Sequence, residues 1–262
     1  MTPKVGADRG GRTSNLDLPL SQATVTGAPA PHRVLRLEES SLFFVGLFLL
    51  AIVGFWPTYV AAFGQADAYV HFHAGTMTLW MVLLTAQPLL IKQRKLKLHR
   101  RVGSLSYGLV PLIVLAAVLL AHSRLQTDGI PISDRSYYVF FIQVQLTLTF
   151  LVAYALAMAN RSDAALHSRY MICTGLPLID PALARVLRQY VALDITRQWI
   201  TFTVTDAILV FLIVRDRHAR RGRRAFLIIL AIFAVLQVLN LSVTEFGHWR
   251  AFTDWFAGLR VT

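Results

Sequence analysis

Residues 73–91 read HAGTMTLWMVLLTAQPLLI, residues 92–101 read KQRKLKLHRR, and residues 103–122 read GSLSYGLVPLIVLAAVLLAH. Two apolar runs close to the ~20 residues that a helix needs to cross a bilayer therefore flank a linker with six cations and no acid. Soluble helical pairs do not need runs of this kind, but membrane hairpins do. Five further segments of similar character follow from the same criterion: 42–62, 137–158, 170–185, 199–214 and 225–243. The fifth and sixth in chain order are short and interrupted by Pro177, Asp180, Pro181 and Asp206, so a six-span arrangement with a broken or re-entrant fifth segment stays open. The fold expected is an all-α polytopic transmembrane bundle over residues 41–245, with about seven spans.

Composition agrees with that expectation. The chain has 262 residues, 55% hydrophobic and 15% charged, with a mean hydropathy of +0.54. Soluble domains carry roughly 45–50% apolar and about 25% charged residues. The net charge of +12 comes from 26 basic and 14 acidic residues, which would suit nucleic acid or the orienting loops of a membrane protein. Position decides between the two. The N-terminal tail and the linkers at 92–101, 161–169 and 215–224 hold nineteen basic and six acidic residues, against seven and six in the remaining linkers and C-terminus. Short basic loops stay cytoplasmic, so the N-terminus is expected inside and the C-terminal segment, 246–262, outside. The excess charge then attracts anionic lipid headgroups and calls for no nucleic acid. Residues 1–40 are rich in Gly, Pro, Ser and Thr and are expected to form a disordered tail. They contain no apolar run of the signal-peptide kind, so the first span is expected to be an uncleaved anchor. A single cysteine, Cys173, excludes an internal disulfide and a cysteine-cluster metal site.

The polar residues inside the spans carry the functional candidates. Asp180 and Asp206 fall near mid-bilayer, where a carboxylate is costly and needs a partner or a proton. Arg185 or a neighbouring histidine could pair with Asp180, although a break at either proline would leave it in a hydrated turn. His73, Met77, Trp80, Leu84 and Gln87 share one face of span two, and Gln143, Thr147 and Tyr154 form a similar row on span four. Gln237, Asn240, Thr244 and His248 do the same on span seven. Such rows face the bundle interior, either as inter-helix glue or as the lining of a pocket that opens outward. His99 and His167 sit in matching contexts, Leu98-His99-Arg100-Arg101 and Leu166-His167-Ser168-Arg169, each before a span that enters from the basic side. Two such imidazoles could ligate one haem axially, with Arg100 and Arg169 on the propionates, or could simply contact headgroups. His71, His73, His122 and His248 on the other side could hold zinc or copper, but His-x-His on a helix points two rings about 200° apart. No nucleophile elbow, phosphate-binding loop or dinucleotide fingerprint is present.

The run His73, Gln87-Pro88, His99-Arg100-Arg101-Val102-Gly103 and Tyr107, then His167-x-x-Tyr170-Met171 and Arg185, resembles a large family of multi-pass bacterial membrane proteins with no settled biochemical role. The resemblance covers roughly residues 42–190 and implies architecture and a bacterial inner-membrane location. In layout, the paired histidines on alternate spans are also similar to di-haem b-type transmembrane cytochromes, which implies haem b and a redox partner. Span four has Gln143 and Tyr137 where that layout would need a second histidine. Three functions follow as expectations: electron transfer through haem at His99 and His167; a non-enzymatic transporter, sensor or assembly factor with a polar interior that takes a small molecule; and a metal-dependent membrane hydrolase.

Overall fold

The computed structural model describes residues 40–129, 131–191, 197–219, 222 and 224–262. Of the expected tail over residues 1–40, all but Ser40, which opens the first helix, lies outside the described residues. Among the described residues there is no strand, and seven helical segments are long and apolar enough to cross a membrane. The chain is an all-α polytopic bundle.

Local sequence explains where each helix starts and bends. The first, α1 (Ser40–Phe55), widens into a π turn at Trp56–Val60, where Pro57 has no N–H to continue the α ladder. Asp67 caps α2 (Ala68–Lys92) by accepting from Val70 N at 2.8 Å. The third span bends at Leu105 between α3 (Leu96–Ser104) and α4 (Ser106–Asp128), and α5 (Asp134–Ala159) follows, capped by Ser133. Span five is three pieces in one rod: α6 (Ala164–Cys173), a 3₁₀ turn at Leu176–Leu178, and α7 (Ile179–Val186), which runs on as a π turn to Val191. Pro177 and Pro181 remove two ladder donors here, so the segment changes helix type but still extends over 28 residues. That decides for seven spans over six. Two spans complete the bundle, α8 (Arg197–Arg215) and α9 (Arg224–Ser242). Beyond them, α10 (Gly247–Ala257) folds back on α4 and α5.

Short linkers make consecutive spans antiparallel, so the three basic linkers share one end of the bundle, here the basic end. Packing then makes a ring. Helix α1 lies against α2 and α7, α2 against α4, α4 against α5, α5 against α9, α9 against α8, and α8 against α7. The other half of span five, α6, packs on α5 and α9. Span five has the lowest hydropathy, 1.3, and the highest burial, 61%, whereas the other spans are 22–33% buried. The segment that looks weakest as a span in the sequence is therefore the inner helix. Leu49, Phe211 and Val235 point outward instead, each more than half exposed, as expected of side chains solvated by lipid tails.

Close approach between α1 and α7 depends on Gly54. A Cβ at this position would lie 2.5 Å from the Ala182 carbonyl oxygen, a backbone atom that cannot rotate away. Small residues admit such contacts between membrane helices. Gly54→Ala is expected to lower stability by about 1–3 kcal/mol. Gly46→Ala, on the same helix with nothing within 4 Å of the new carbon, should be neutral or mildly stabilising. Unfolding of the two variants in detergent, followed by circular dichroism, checks this; equal effects would contradict the packing.

Candidate functional site

At the basic end, several residues of the sequence pattern come together. The Gln87 amide is satisfied only with its nitrogen toward His99. In that orientation the nitrogen donates to the His99 carbonyl at 3.2 Å and to His99 Nδ1, and the oxygen accepts from Gly103 N at 3.1 Å. Nδ1 of His99 is then an acceptor, and the ring proton sits on Nε2. His167 Nδ1 lies 2.9 Å from the Ala157 carbonyl, so it carries the proton there and leaves Nε2 bare. The two imidazoles are close enough to interact electrostatically. Tyr107 accepts from Arg161 Nη1 at 2.9 Å, and the Ser106 and Tyr154 hydroxyls meet at 2.9 Å.

These residues do not fit axial ligation of haem. Both rings would have to present a bare nitrogen, and only His167 does. Arg100 is exposed on the surface of α3. Arg169, expected near a propionate, is already paired: its Nε and Nη2 donate to Asp216 Oδ2 and Oδ1 at 2.5 and 2.6 Å, and Nη1 donates to the Ala165 carbonyl at 2.8 Å. Both side chains of this pair are buried. Gly222, at φ +85°, passes so near that a Cβ would lie 2.7 Å from Arg169 Cδ. The pair therefore ties span five to the linker between α8 and α9.

The opposite end differs in being incompletely satisfied. Asp180 is buried, 3% exposed, and accepts from Gln198 Nε2 at 3.2 and 3.1 Å. Gln198 and the nearby Thr201 hydroxyl, rather than Arg185, are its polar neighbours within hydrogen-bonding reach. The Arg185 guanidinium lies 4.1 Å over the Phe55 ring and donates one bond, from Nη1 to the Pro181 carbonyl at 2.9 Å. It is within electrostatic reach of Asp180, Arg124 and Arg188, and His73 is within reach of it. Asp206 accepts from Gln237 at 3.2 Å, and Gln143 donates to the Ala117 carbonyl at 2.9 Å, so this part of the polar rows is inter-helix glue. Eight buried side-chain atoms find no protein partner among the described residues: His73 Nδ1, Trp80 Nε1, Gln145 Oε1, Thr205 Oγ1, and both amide atoms of Gln189 and of Asn240. All six residues lie at the midpoint of their spans or on the side away from the basic linkers.

The four outer histidines do not converge. Among the described residues no group of three or more His, Cys, Asp or Glu could hold a metal ion. His71 Nδ1 is 3.1 Å from the Tyr59 hydroxyl, and its ring packs on Phe63, while His73 faces the bundle near Arg185. His122 is fully buried, and both its nitrogens are used, by Thr262 Oγ1 at 2.6 Å and the Leu259 carbonyl at 2.9 Å. His248 is exposed on α10. Helical periodicity separates His71 from His73, and the fold-back of α10 explains His122. Sequence reasoning missed Asp216, Gln198 and Gln189. A signal existed for the first, the one acid in a linker of six arginines; the other two carry no pattern.

Comparison of the chain with protein-family models, with curated proteins and with solved structures finds no match. Its function has to be read from its own side chains.

The buried Arg169–Asp216 pair gives a direct expectation. Removing one partner strands a charge, so Arg169→Ala or Asp216→Ala should cost about 3–5 kcal/mol. Replacing both, as Arg169→Met with Asp216→Leu, should cost much less than the two single changes combined. Thermal unfolding of the three variants in detergent measures this, and strict additivity would show that the two charges do not depend on one another.

Proposed function

We propose that the chain is a multi-pass protein of a bacterial cytoplasmic membrane, N-terminus inside and C-terminus outside, with a hydrated chamber that opens on the outer face and binds a small polar solute. It acts as a transporter or a sensor and not as an enzyme. The observation that carries this reading is the set of eight buried nitrogen and oxygen atoms without a partner among the described residues, five of them in the half of the spans away from the basic linkers and three at mid-span. More than 90% of buried polar groups in native proteins have a partner. Orphans that run from mid-span to one end of a bundle therefore call for partners that the described residues do not supply, namely water or a polar solute.

The charge distribution supports the orientation, because the linkers on the proposed cytoplasmic side are strongly basic. Asp180 supports a hydrated interior, because an isolated carboxylate in hydrocarbon is several kcal/mol uphill and the Gln198 amide and Thr201 hydroxyl beside it are neutral. Electron transfer through haem at His99 and His167 has no comparable support, given the Gln87 and Asp216 contacts of the expected ligands. A metal hydrolase lacks convergent ligands.

Cysteine labelling tests the chamber. Cys173 is buried, fully shielded, and serves as an internal blank. Gln189→Cys and Thr205→Cys should react with a charged, membrane-impermeant thiosulfonate added outside right-side-out vesicles. Leu148→Cys, at similar depth but exposed on the lipid face of α5, should not react. Failure of both interior positions to label would remove the chamber.

A further inference from the structure

Arg185 is an enclosed cation with no carboxylate in contact among the described residues. It sits six residues inside the end of span five, ~9 Å at 1.5 Å per residue, and among the described residues it makes no ion pair. Two other cations, Arg124 and Arg188, lie within its electrostatic reach. Among the described residues the nearest acids make their hydrogen bonds and ion pairs elsewhere, and Asp180 acts on Arg185 only at a distance. Both Asp180 oxygens accept from Gln198, while Asp67 caps α2 and lies 3.9 Å from Arg124. A cation inside a membrane protein usually pairs with an anion or faces one. Packing also fixes the guanidinium in place, with Phe55 across its face at 4.1 Å and Pro181 holding Nη1. Its other N–H donors remain for a ligand, and the orphaned His73 Nδ1 adds one more polar atom on the same side.

We infer that the chamber is an anion site, in which Arg185 grips a carboxylate or phosphate with its guanidinium fork while His73 offers a further hydrogen bond and Arg124 and Arg188 attract the charge. This rests on the proposed chamber and names the chemical class of its occupant. A planar fork matches two oxygens of one anion, which an ammonium group cannot do. The anion could be a soluble small molecule or the phosphate of a phospholipid headgroup from the outer leaflet; the chemistry at Arg185 is the same.

The test uses the full chain purified in detergent. Titration calorimetry with inorganic phosphate and with acetate measures the soluble arm, and native mass spectrometry of co-purified phosphatidylglycerol measures the lipid arm. In at least one arm, binding should fall tenfold or more in Arg185→Gln and remain unchanged in Arg101→Gln on the exposed basic end. Arg185→Lys keeps the charge but not the fork and should weaken binding several-fold; it also decides the matter if Arg185→Gln does not fold. Arg185-dependent binding of phosphate or acetate identifies a soluble anion, and Arg185-dependent retention of phosphatidylglycerol identifies a headgroup. No binding in either arm, or binding that Arg185→Gln and Arg185→Lys leave unchanged, overturns the inference. Should the interior cysteines label while no anion binds, the chamber stands and only its anionic occupant falls.

Discussion

Span five contains two prolines, a buried carboxylate and two largely enclosed arginines, and a helix of that composition survives in a bilayer only where other helices surround it. The lipid supplies no hydrogen bonds, so each freed backbone carbonyl and each charged side chain needs a protein or water partner. The neighbouring spans satisfy that need. Helix α6 is enclosed by α5 and α9, and α7 by α1 and α8. Gly54 lets α1 come within backbone contact of α7, and Gly175 does the same for Phe44, whose ring a Cβ there would meet at 2.8 Å. These contacts follow from one requirement, to keep the least apolar helix away from lipid.

The two ends of that helix meet the requirement differently. At the basic end the protein completes its own hydrogen bonds. Arg169 and Asp216 pair bidentately, Gln87 bridges His99 and Gly103, and His167 is tied to the Ala157 carbonyl. At the other end, among the described residues, Asp180 has the neutral Gln198 and Thr201 beside it, Arg185 has no carboxylate in contact, and His73, Gln189 and Asn240 keep bare polar atoms. Sealing at one end with under-satisfaction at the other is the arrangement expected of a protein that admits water or solute from one side only. Proteins concentrate such incomplete satisfaction where they function.

Much of the architecture was legible in the sequence because the membrane restricts the choices. Seven apolar runs and three basic linkers are enough to give spans and their alternation. The site was only partly legible. His99, Gln87 and Gly103 are separated by 12 and four residues, and their spacing reveals a cluster once α2 and α3 are known to be consecutive. His73 and Arg185 are over a hundred residues apart, and only the packing of the helices brings them near one another. The pairing of Arg169 was missed because Asp216 looks like a neutralising charge in a basic loop, and nothing local marks it as buried. His122 resembles a metal ligand in the sequence, but the fold-back of α10 makes it the anchor of residues 259–262. Long-range choices of partner depend on which helices touch, and hydropathy does not contain that information.

The central claim is that span five is packed among the other spans, with its half away from the basic linkers in water and not in lipid. Spin labelling in nanodiscs tests this directly, because a water-soluble nickel chelate and molecular oxygen partition into opposite environments. A label at Ala184 should relax with the nickel chelate and respond weakly to oxygen, while a label at Leu49, exposed on the outside of α1, should do the reverse. An oxygen-dominated response at Ala184, equal to that at Leu49, would place span five against lipid and contradict the account.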